Sequence, residues 1–193
     1  MTIGKQIMEG MLWHFKMPKA EAYQKALKLL EEVGITDAEK RMKSYPHQLS
    51  GGMRQRVVIA IALSCDPDLL ICDEPTTALD VTIQAKILEL IRSIQKERGI
   101  SVIYITHDLG VVAKVADYVD VMYAGKIVET GTIDEIFYDP RHVAIRSTGL
   151  RGAVTSFSAT SLGAYWATPH SIPRAVSTTT RSPFLISNPL GSK

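Results

Sequence analysis

The sequence predicts an α/β fold in which a parallel sheet follows a helical segment. Residues 19–33 repeat apolar side chains at helical spacing, whereas residues 69–72 and 101–105 are short apolar runs typical of buried parallel strands. Residues 81–98, between those runs, have the pattern of an amphipathic helix. A strand, a helix and a second strand in this order form the crossover unit from which parallel sheets are built.

The remaining elements follow from the same periodicities. The helix over residues 19–33 ends at Gly34, and a second helix is predicted to follow Gly51 and Gly52 and to run to about Ser64, with apolar residues nearly all round. We therefore expect this second helix to be buried. Further along the chain, the pattern predicts a short helix, a hairpin around a glycine and a last helix, over residues 109–116, 118–129 and 132–138.

The tail after residue 142 has a different composition. All 20 acidic residues of the chain lie at or before position 139, and Ser and Thr become frequent after it. The arginines of the tail are scattered rather than clustered, which does not favour a basic binding arm. We expect residues 143–193 to form a solvated, largely disordered tail.

The overall composition excludes several classes of protein. With 46% apolar and 22% charged residues, the 193-residue chain is typical of a globular domain, and its net charge of +2 does not call for nucleic acid or an anionic membrane. Cys65 and Cys72 lie in apolar stretches, which indicates a reducing, cytoplasmic compartment. The longest apolar run, residues 57–63, is far shorter than the ~20 residues that cross a bilayer.

The first motif is the segment of residues 49–56, which places Ser50, Gly51 and Gly52 at the start of a helix. Free backbone amides at a helix start, glycines that allow close approach and a hydroxyl together suit a phosphate group. A Gly-Gly pair ahead of a helix is by itself more often only a turn. The functional interpretation therefore depends on the neighbouring motifs.

The second motif is a buried strand that ends in two acids, Asp73 and Glu74. In a nucleotide-hydrolysing sheet, the first acid can hold Mg²⁺ and the second can orient or deprotonate the attacking water. An acidic pair at a strand end is frequently only a solvated loop, but residues 75–80 behind it make that interpretation unlikely in this chain. His107 follows the next strand, so we expect it at the same sheet edge as Glu74.

Together these motifs resemble the ABC ATPase family over residues 1–139. Residues 49–56 resemble its signature motif, residues 69–74 its Walker B strand, residues 78–80 its D-loop and His107 its switch histidine. More narrowly, three segments resemble the ATPase subunits of dipeptide, oligopeptide and nickel importers, namely residues 45–48, 72–82 and 136–142.

The resemblance implies a partial P-loop NTPase domain with three regions. A helical subdomain would span residues 1–48. The signature motif and the C-terminal part of a RecA-like parallel sheet would span residues 49–142, and the atypical tail would span residues 143–193.

The resemblance also implies the roles of the site residues. In the family, two ATPase subunits pair head to tail around two ATP molecules. Asp73 would support Mg²⁺, Glu74 would act on water, and His107 would sense the γ-phosphate. The residues expected to contact the nucleotide of the other subunit or to line the subunit interface are Ser50, Gly51, Gly52, Gln55 and Asp80.

Further partners are implied in the same way. We expect integral-membrane permease subunits as direct partners, a solute-binding protein as an indirect one, and no nucleic acid. The subunit would then lie peripherally at the cytoplasmic face of the cell membrane. The transported solute is left open, because selectivity resides in the membrane and binding-protein subunits.

The chain departs from the family pattern at both ends. No Gly-x-x-x-x-Gly-Lys-Ser/Thr phosphate loop occurs in the 193 residues, and the family's Q-loop glutamine would lie before residues 1–7. We therefore expect the isolated chain to be inactive. After His142 the family pattern and the acidic residues both end, which suggests a reading-frame change, and the absence of cysteine from the tail argues against an iron–sulfur cluster.

Two functional hypotheses remain open at the level of sequence. In the first, the chain is an ATP-hydrolysing subunit, or part of such a subunit, that energises import of di- or oligopeptides. In the second, it is a catalytically inactive remnant that docks on a complete ABC ATPase. A DNA-repair ABC ATPase is disfavoured because long coiled-coil heptads are absent. We also expect marginal stability, since the strands over 69–74 and 101–106 would expose an apolar sheet edge.

Overall fold

The computed structural model describes residues 1–142 and two strands of the tail, Thr155–Thr160 and Ala175–Thr179. The described helices are α1 (Ile3–His14), α2 (Lys19–Glu32), α3 (Ala38–Met42), α4 (Gly51–Leu63), α5 (Val81–Arg98), α6 (Leu109–Val115) and α7 (Ile133–Tyr138), with a 3₁₀ turn at Pro46–Gln48. The described strands are β1 (Leu69–Asp73), β2 (Ser101–Thr106), β3 (Tyr118–Tyr123), β4 (Lys126–Thr132), β5 (Thr155–Thr160) and β6 (Ala175–Thr179).

Helices and sheet share one main hydrophobic core. Residues from α1, α2, α4, β1 and α5 are fully buried in a single cluster, for example Ile7, Leu30, Ile59, Leu70 and Ile91. A smaller cluster lies between β3, β4 and α7 around Val119, Val121 and Ile136. The predicted burial of the second helix is confirmed for most of α4, whose apolar residues pack against both the helical part and the sheet.

The sheet places the ends of β1 and β2 side by side. These two strands are parallel neighbours, and Asp73 pairs with Ile105 at the end of the register. The full strand order is β4-β3-β5-β2-β1-β6. Because parallel strands finish at the same edge, the residues that follow β1 and β2 emerge together there.

The tail contributes two strands where the sequence predicted no packed element. β5 pairs antiparallel with both β2 and β3, and β6 pairs parallel with β1. An open strand edge presents unpaired backbone N–H and C=O groups, and a segment can satisfy them without an apolar repeat of its own. That is why the side-chain pattern did not predict these strands. The other tail residues, and the disorder predicted for them, lie outside the described part of the chain.

An ion network joins the ends of α2 and α5 to the loop between α4 and β1. The Arg98 guanidinium at the end of α5 donates two hydrogen bonds to the Glu32 carboxylate at the end of α2, at 2.6 and 2.7 Å, and a third to Asp66 at 3.3 Å. The Lys25 ammonium also pairs with Asp66. The bonds to Glu32 raise the pKa of Arg98 above its ordinary value. Bidentate geometry on partly buried side chains makes this link firmer than an ordinary surface ion pair.

Among the helices in the described ranges, none combines the length and the apolar character that a bilayer-spanning segment requires.

Candidate functional site

The strand-end group consists of Asp73, Glu74, Thr77 and His107, and it lies where β1 and β2 finish. The backbone N–H of Glu74 donates to the carbonyl of Ile105 at 2.9 Å, which extends the pairing of the two strands by one residue. Nδ1 of His107 lies 2.6 Å from Oε1 of Glu74. The structure thus brings the predicted acid and histidine into direct contact.

Glu74 holds an unusual backbone conformation. Its φ is +49°, in the left-handed region that residues other than glycine seldom adopt. A conformation of this kind costs of order 1–2 kcal/mol and persists only where the surroundings impose it. Here the Ile105 carbonyl and the turn that follows hold it, and the carboxylate is left 31% exposed beside a His107 side chain that is 70% exposed.

Thr77 belongs to the same group, although sequence reasoning did not single it out. Its hydroxyl donates to Oε2 of Glu74 at 2.7 Å, while its backbone N–H donates to the Glu74 carbonyl at 3.2 Å. The sequence feature that could have indicated it is a threonine three residues after Glu74, a spacing at which a turn can bring the hydroxyl close to the earlier side chain. Without the turn geometry, that signal could not be separated from ordinary loop composition.

Asp73 is the last residue of β1 and is half-buried. No cluster of three or more His, Cys, Asp or Glu side chains suited to a metal ion occurs within the described ranges. Mg²⁺ does not require such a cluster, because it usually keeps several waters and binds one or two carboxylates together with substrate phosphates. A single strand-end carboxylate is compatible with that mode of binding.

The helix-start group consists of Ser50, Gly51, Gly52 and Asp80, at the starts of α4 and α5. Oγ of Ser50 accepts a hydrogen bond from the Met53 N–H at 3.3 Å and so caps α4. The Asp80 carboxylate accepts from the Ile83 N–H at 2.9 Å and caps α5. Both predicted binding residues therefore also have a local structural role.

The two glycines of this group pack against the start of α5. A Cβ at position 51 would lie 3.4 Å from Cδ2 of Leu79, an ordinary contact, whereas a Cβ at position 52 would lie 2.8 Å from Cγ2 of Ile83. Gly52 therefore allows α4 and α5 to approach closely, in addition to any approach by a ligand. The sequence pattern pointed only to the ligand.

Gln55, the remaining predicted site residue, is buried inside α4 at 7% exposure. Its Nε2 has no hydrogen-bond partner within the described part of the chain. Gln55 is therefore more deeply buried than Ser50, Gly51 and Gly52 at the start of the same helix, and its Nε2 makes no hydrogen bond to the strand-end group.

The two groups are joined by residues 75–80. Leu79, in this loop, packs against the start of α4 near Gly51, and the Leu79 N–H donates to the Thr76 carbonyl at 3.2 Å. Chemically, the strand-end group offers a carboxylate that contacts the Thr77 hydroxyl and an exposed imidazole. The helix-start group offers the backbone amides of a helix N-terminus and a hydroxyl.

Comparison with known proteins agrees with this description. Residues 2–77 match the family described as ABC transporter. The chain is 66% identical over 142 residues to the oligopeptide transport ATP-binding protein OppD of Bacillus subtilis, which covers 74% of this chain and 40% of that protein. It is 60% identical over 154 residues to the dipeptide transport ATP-binding protein DppD of the same organism, which covers 80% of this chain and 45% of that protein.

Solved structures give the same result for the fold. The ATP-binding cassette MJ0796, in a dimeric post-hydrolysis state bound to ADP and Pi, is 28% identical and matches with a TM-score of 0.59. The match covers 69% of this chain and 57% of that chain. The predicted fold class and the family resemblance are thereby confirmed, and the chain spans less than half the length of the curated relatives named above.

Proposed function

The chain belongs to the family of ABC transporter ATP-binding proteins, and from this premise we propose that it supplies the water-activating and signature parts of an ATP-hydrolysing subunit. The subunit would energise import of oligopeptides or dipeptides, the solutes in the names of its relatives. The observation that carries the proposal is the 2.6 Å contact between Glu74 and His107 at the end of two parallel strands.

In the proposed reaction, the Glu74 carboxylate accepts a proton from the water that attacks the γ-phosphate. With Nδ1 of His107 turned to Glu74, Nε2 is the ring nitrogen left to face a γ-phosphate oxygen. Donation from both nitrogens at once, to Glu74 and to the phosphate, requires the doubly protonated imidazolium. Asp73 would hold Mg²⁺, usually through water, and the ion would neutralise charge on the phosphates.

The helix-start group would serve a nucleotide held by a second subunit. The amides at the start of α4 suit a γ-phosphate, and the Ser50 hydroxyl keeps its proton for donation because it uses a lone pair to accept from Met53. Gly51 and Gly52 place no side chain beside those amides, and Asp80 would line the subunit interface. Gln55, buried behind this surface, would support α4 from within.

The proposed partners follow from the same assignment. A second ATPase subunit would pair head to tail with this one, integral-membrane permease subunits would receive the energy of hydrolysis, and a solute-binding protein would act indirectly. The subunit would be peripheral at the cytoplasmic face of the membrane.

The test supplies the phosphate loop that these 193 residues do not contain. In the Bacillus subtilis OppD protein, the aligned segment is replaced by residues 1–142 of this chain. The chimera is expected to bind Mg-ATP and hydrolyse it, and Glu74→Gln should lower the hydrolysis rate at least about 100-fold with little change in ATP binding. Phosphate release and equilibrium binding of a fluorescent ATP analogue measure the two quantities.

A matched control is Glu97→Gln, which alters a carboxylate of α5 that accepts a hydrogen bond from the Ser93 hydroxyl at 2.8 Å. That variant should hydrolyse ATP at the parental rate. A folded chimera that binds ATP but does not hydrolyse it would instead support the inactive, docking role. Hydrolysis by the Glu74→Gln chimera within tenfold of the parental rate would contradict the catalytic role of Glu74.

A further inference from the structure

We propose that Thr77 is a positioning residue that fixes the plane of the Glu74 carboxylate and so aligns it with His107, a proposal that rests on the function proposed above for Glu74. Thr77 is not part of the acid pair, and its hydroxyl makes no step of the chemistry. It acts through Glu74.

The contacts at the carboxylate support this role. Oε2 accepts from the Thr77 hydroxyl at 2.7 Å, and Oε1 lies 2.6 Å from Nδ1 of His107. The last torsion of a glutamate side chain is broad and two-fold, so a single hydrogen bond leaves the carboxylate plane largely free to turn. Two partners, one on each oxygen, define the plane.

Thr77 is itself held on both sides. Its N–H bonds the Glu74 carbonyl, the adjacent Thr76 side chain is buried, and Leu79 packs against the start of α4 near Gly51. A β-branched side chain also has few rotamers, so a fixed backbone gives a fixed hydroxyl. The loop of residues 75–80 therefore orients the Glu74 carboxylate through the 2.7 Å hydrogen bond from the Thr77 hydroxyl.

A simpler explanation is that an exposed hydroxyl bonds to the nearest acceptor without affecting it. The two explanations differ in what happens to His107 when the hydroxyl is removed. If Thr77 positions Glu74, the His107 contact weakens, and if it does not, the contact remains.

The experiment reads the tautomer of His107 in the full 193-residue chain by ¹⁵N NMR of the imidazole nitrogens, at a pH where the ring is neutral. Donation to Oε1 requires the proton on Nδ1, whereas an unconstrained histidine favours Nε2–H. Glu74→Ala gives the Nδ1–H fraction of His107 when its carboxylate partner is absent. His107→Gln identifies which of the five histidine signals belongs to His107. The measurement needs neither ATP nor turnover, so its outcome is distinct from that of the chimera test.

The variants are matched in size and contact. Thr77→Val removes the hydroxyl with little change of shape, Thr77→Ala removes it with a smaller side chain, and Thr77→Ser restores it. Thr130→Val is the control, because the Thr130 hydroxyl also donates to a carboxylate at 2.7 Å, that of Asp120 on the β3–β4 hairpin.

The expected result is a Nδ1–H fraction that falls at least halfway to the Glu74→Ala value in Thr77→Val and Thr77→Ala. Thr77→Ser and Thr130→Val should keep the parental fraction. The proposal is overturned if either hydroxyl-free variant, with its far-UV circular dichroism unchanged, moves less than halfway. It is equally overturned if Thr130→Val moves as far as Thr77→Val, since the effect would then be general.

Discussion

The strand-end group and the helix-start group are held by different forces, although a loop of six residues, 75–80, joins them. At the helix start, three of the four residues of the group also cap a helix or allow two helices to approach, namely Ser50, Asp80 and Gly52. At the strand end, Glu74 adopts a left-handed conformation and contacts a histidine that is mostly exposed. Helix capping and helix packing therefore maintain the first group, whereas side-chain hydrogen bonds on a strained backbone maintain the second.

Because of this difference, we expect substitutions in the helix-start group to change mainly the free energy of unfolding and substitutions in the strand-end group to change mainly catalysis. Residues with a capping or packing role cannot be changed without loss of folding free energy, so their functional role is masked in any simple activity assay. A strained backbone next to exposed polar groups contributes little to stability, and such sites concentrate at functional positions. Three comparisons of variants in the full chain, each measured as the free energy of unfolding in urea, test how far the difference extends.

The largest effect is expected at Gly52. Gly52→Ala places a Cβ 2.8 Å from Cγ2 of Ile83, which forces α4 and α5 apart and should cost about 1–3 kcal/mol. Gly51→Ala is the matched control, because its Cβ meets Leu79 at an ordinary 3.4 Å and should leave stability nearly unchanged. Combining Gly52→Ala with Ile83→Ala should cost less than the sum of the two single changes. Equal losses at positions 51 and 52 would contradict the packing role of Gly52.

A smaller effect is expected at Glu74. Both Glu74→Gly and Glu74→Ala remove the carboxylate, but only glycine relieves the positive φ. Glu74→Gly should therefore be more stable than Glu74→Ala by about 1 kcal/mol. If the alanine variant proves equally stable, the backbone at this position is not strained in solution.

The smallest effect concerns the two helix caps. Asp80→Ala removes a 2.9 Å charged cap and should cost about 1 kcal/mol, whereas Ser50→Ala removes a longer, 3.3 Å neutral cap and should cost about 0.5 kcal/mol. Asp80→Asn and Ser50→Thr keep a capping oxygen and should stay close to the parental stability. If Ser50→Ala lowers the free energy of unfolding more than Asp80→Ala does, the cap of α4 contributes more to stability than its longer hydrogen-bond distance indicates.

Much of the fold could be predicted because most of its helices and strands have a characteristic local pattern of apolar residues. The apolar spacing of α2 and α5 and the β-branched run of β2 gave their elements within one or two residues of the observed bounds. The helix α1 was not predicted as an element of its own, although Ile3, Ile7 and Met11 are buried on one face of it. The strands β5 and β6 were not predicted either, because backbone pairing with β2, β3 and β1 places them rather than an apolar pattern of their own.

The candidate site divides in the same way. Asp73, Glu74 and His107 could be selected from sequence, because residues that follow two parallel strands must emerge at one edge of the sheet. Thr77 could not, because a hydroxyl is common in loops and only the turn geometry brings it to Oε2 of Glu74. Nor could burial of Gln55 be anticipated from a motif that named it as a binding residue.

By itself the sequence determined the order of the main elements, the acids and histidine at the strand ends and the family, since each depends on residue type and local spacing. Only the tertiary structure decided that Gly52 serves the approach of α5, that Thr77 reaches Glu74 and that Arg98 joins α5 to Glu32 across 66 positions. These features depend on where a turn or a helix contact places particular atoms. Distances of that kind are set by packing of the whole domain, and no local pattern of residues records them.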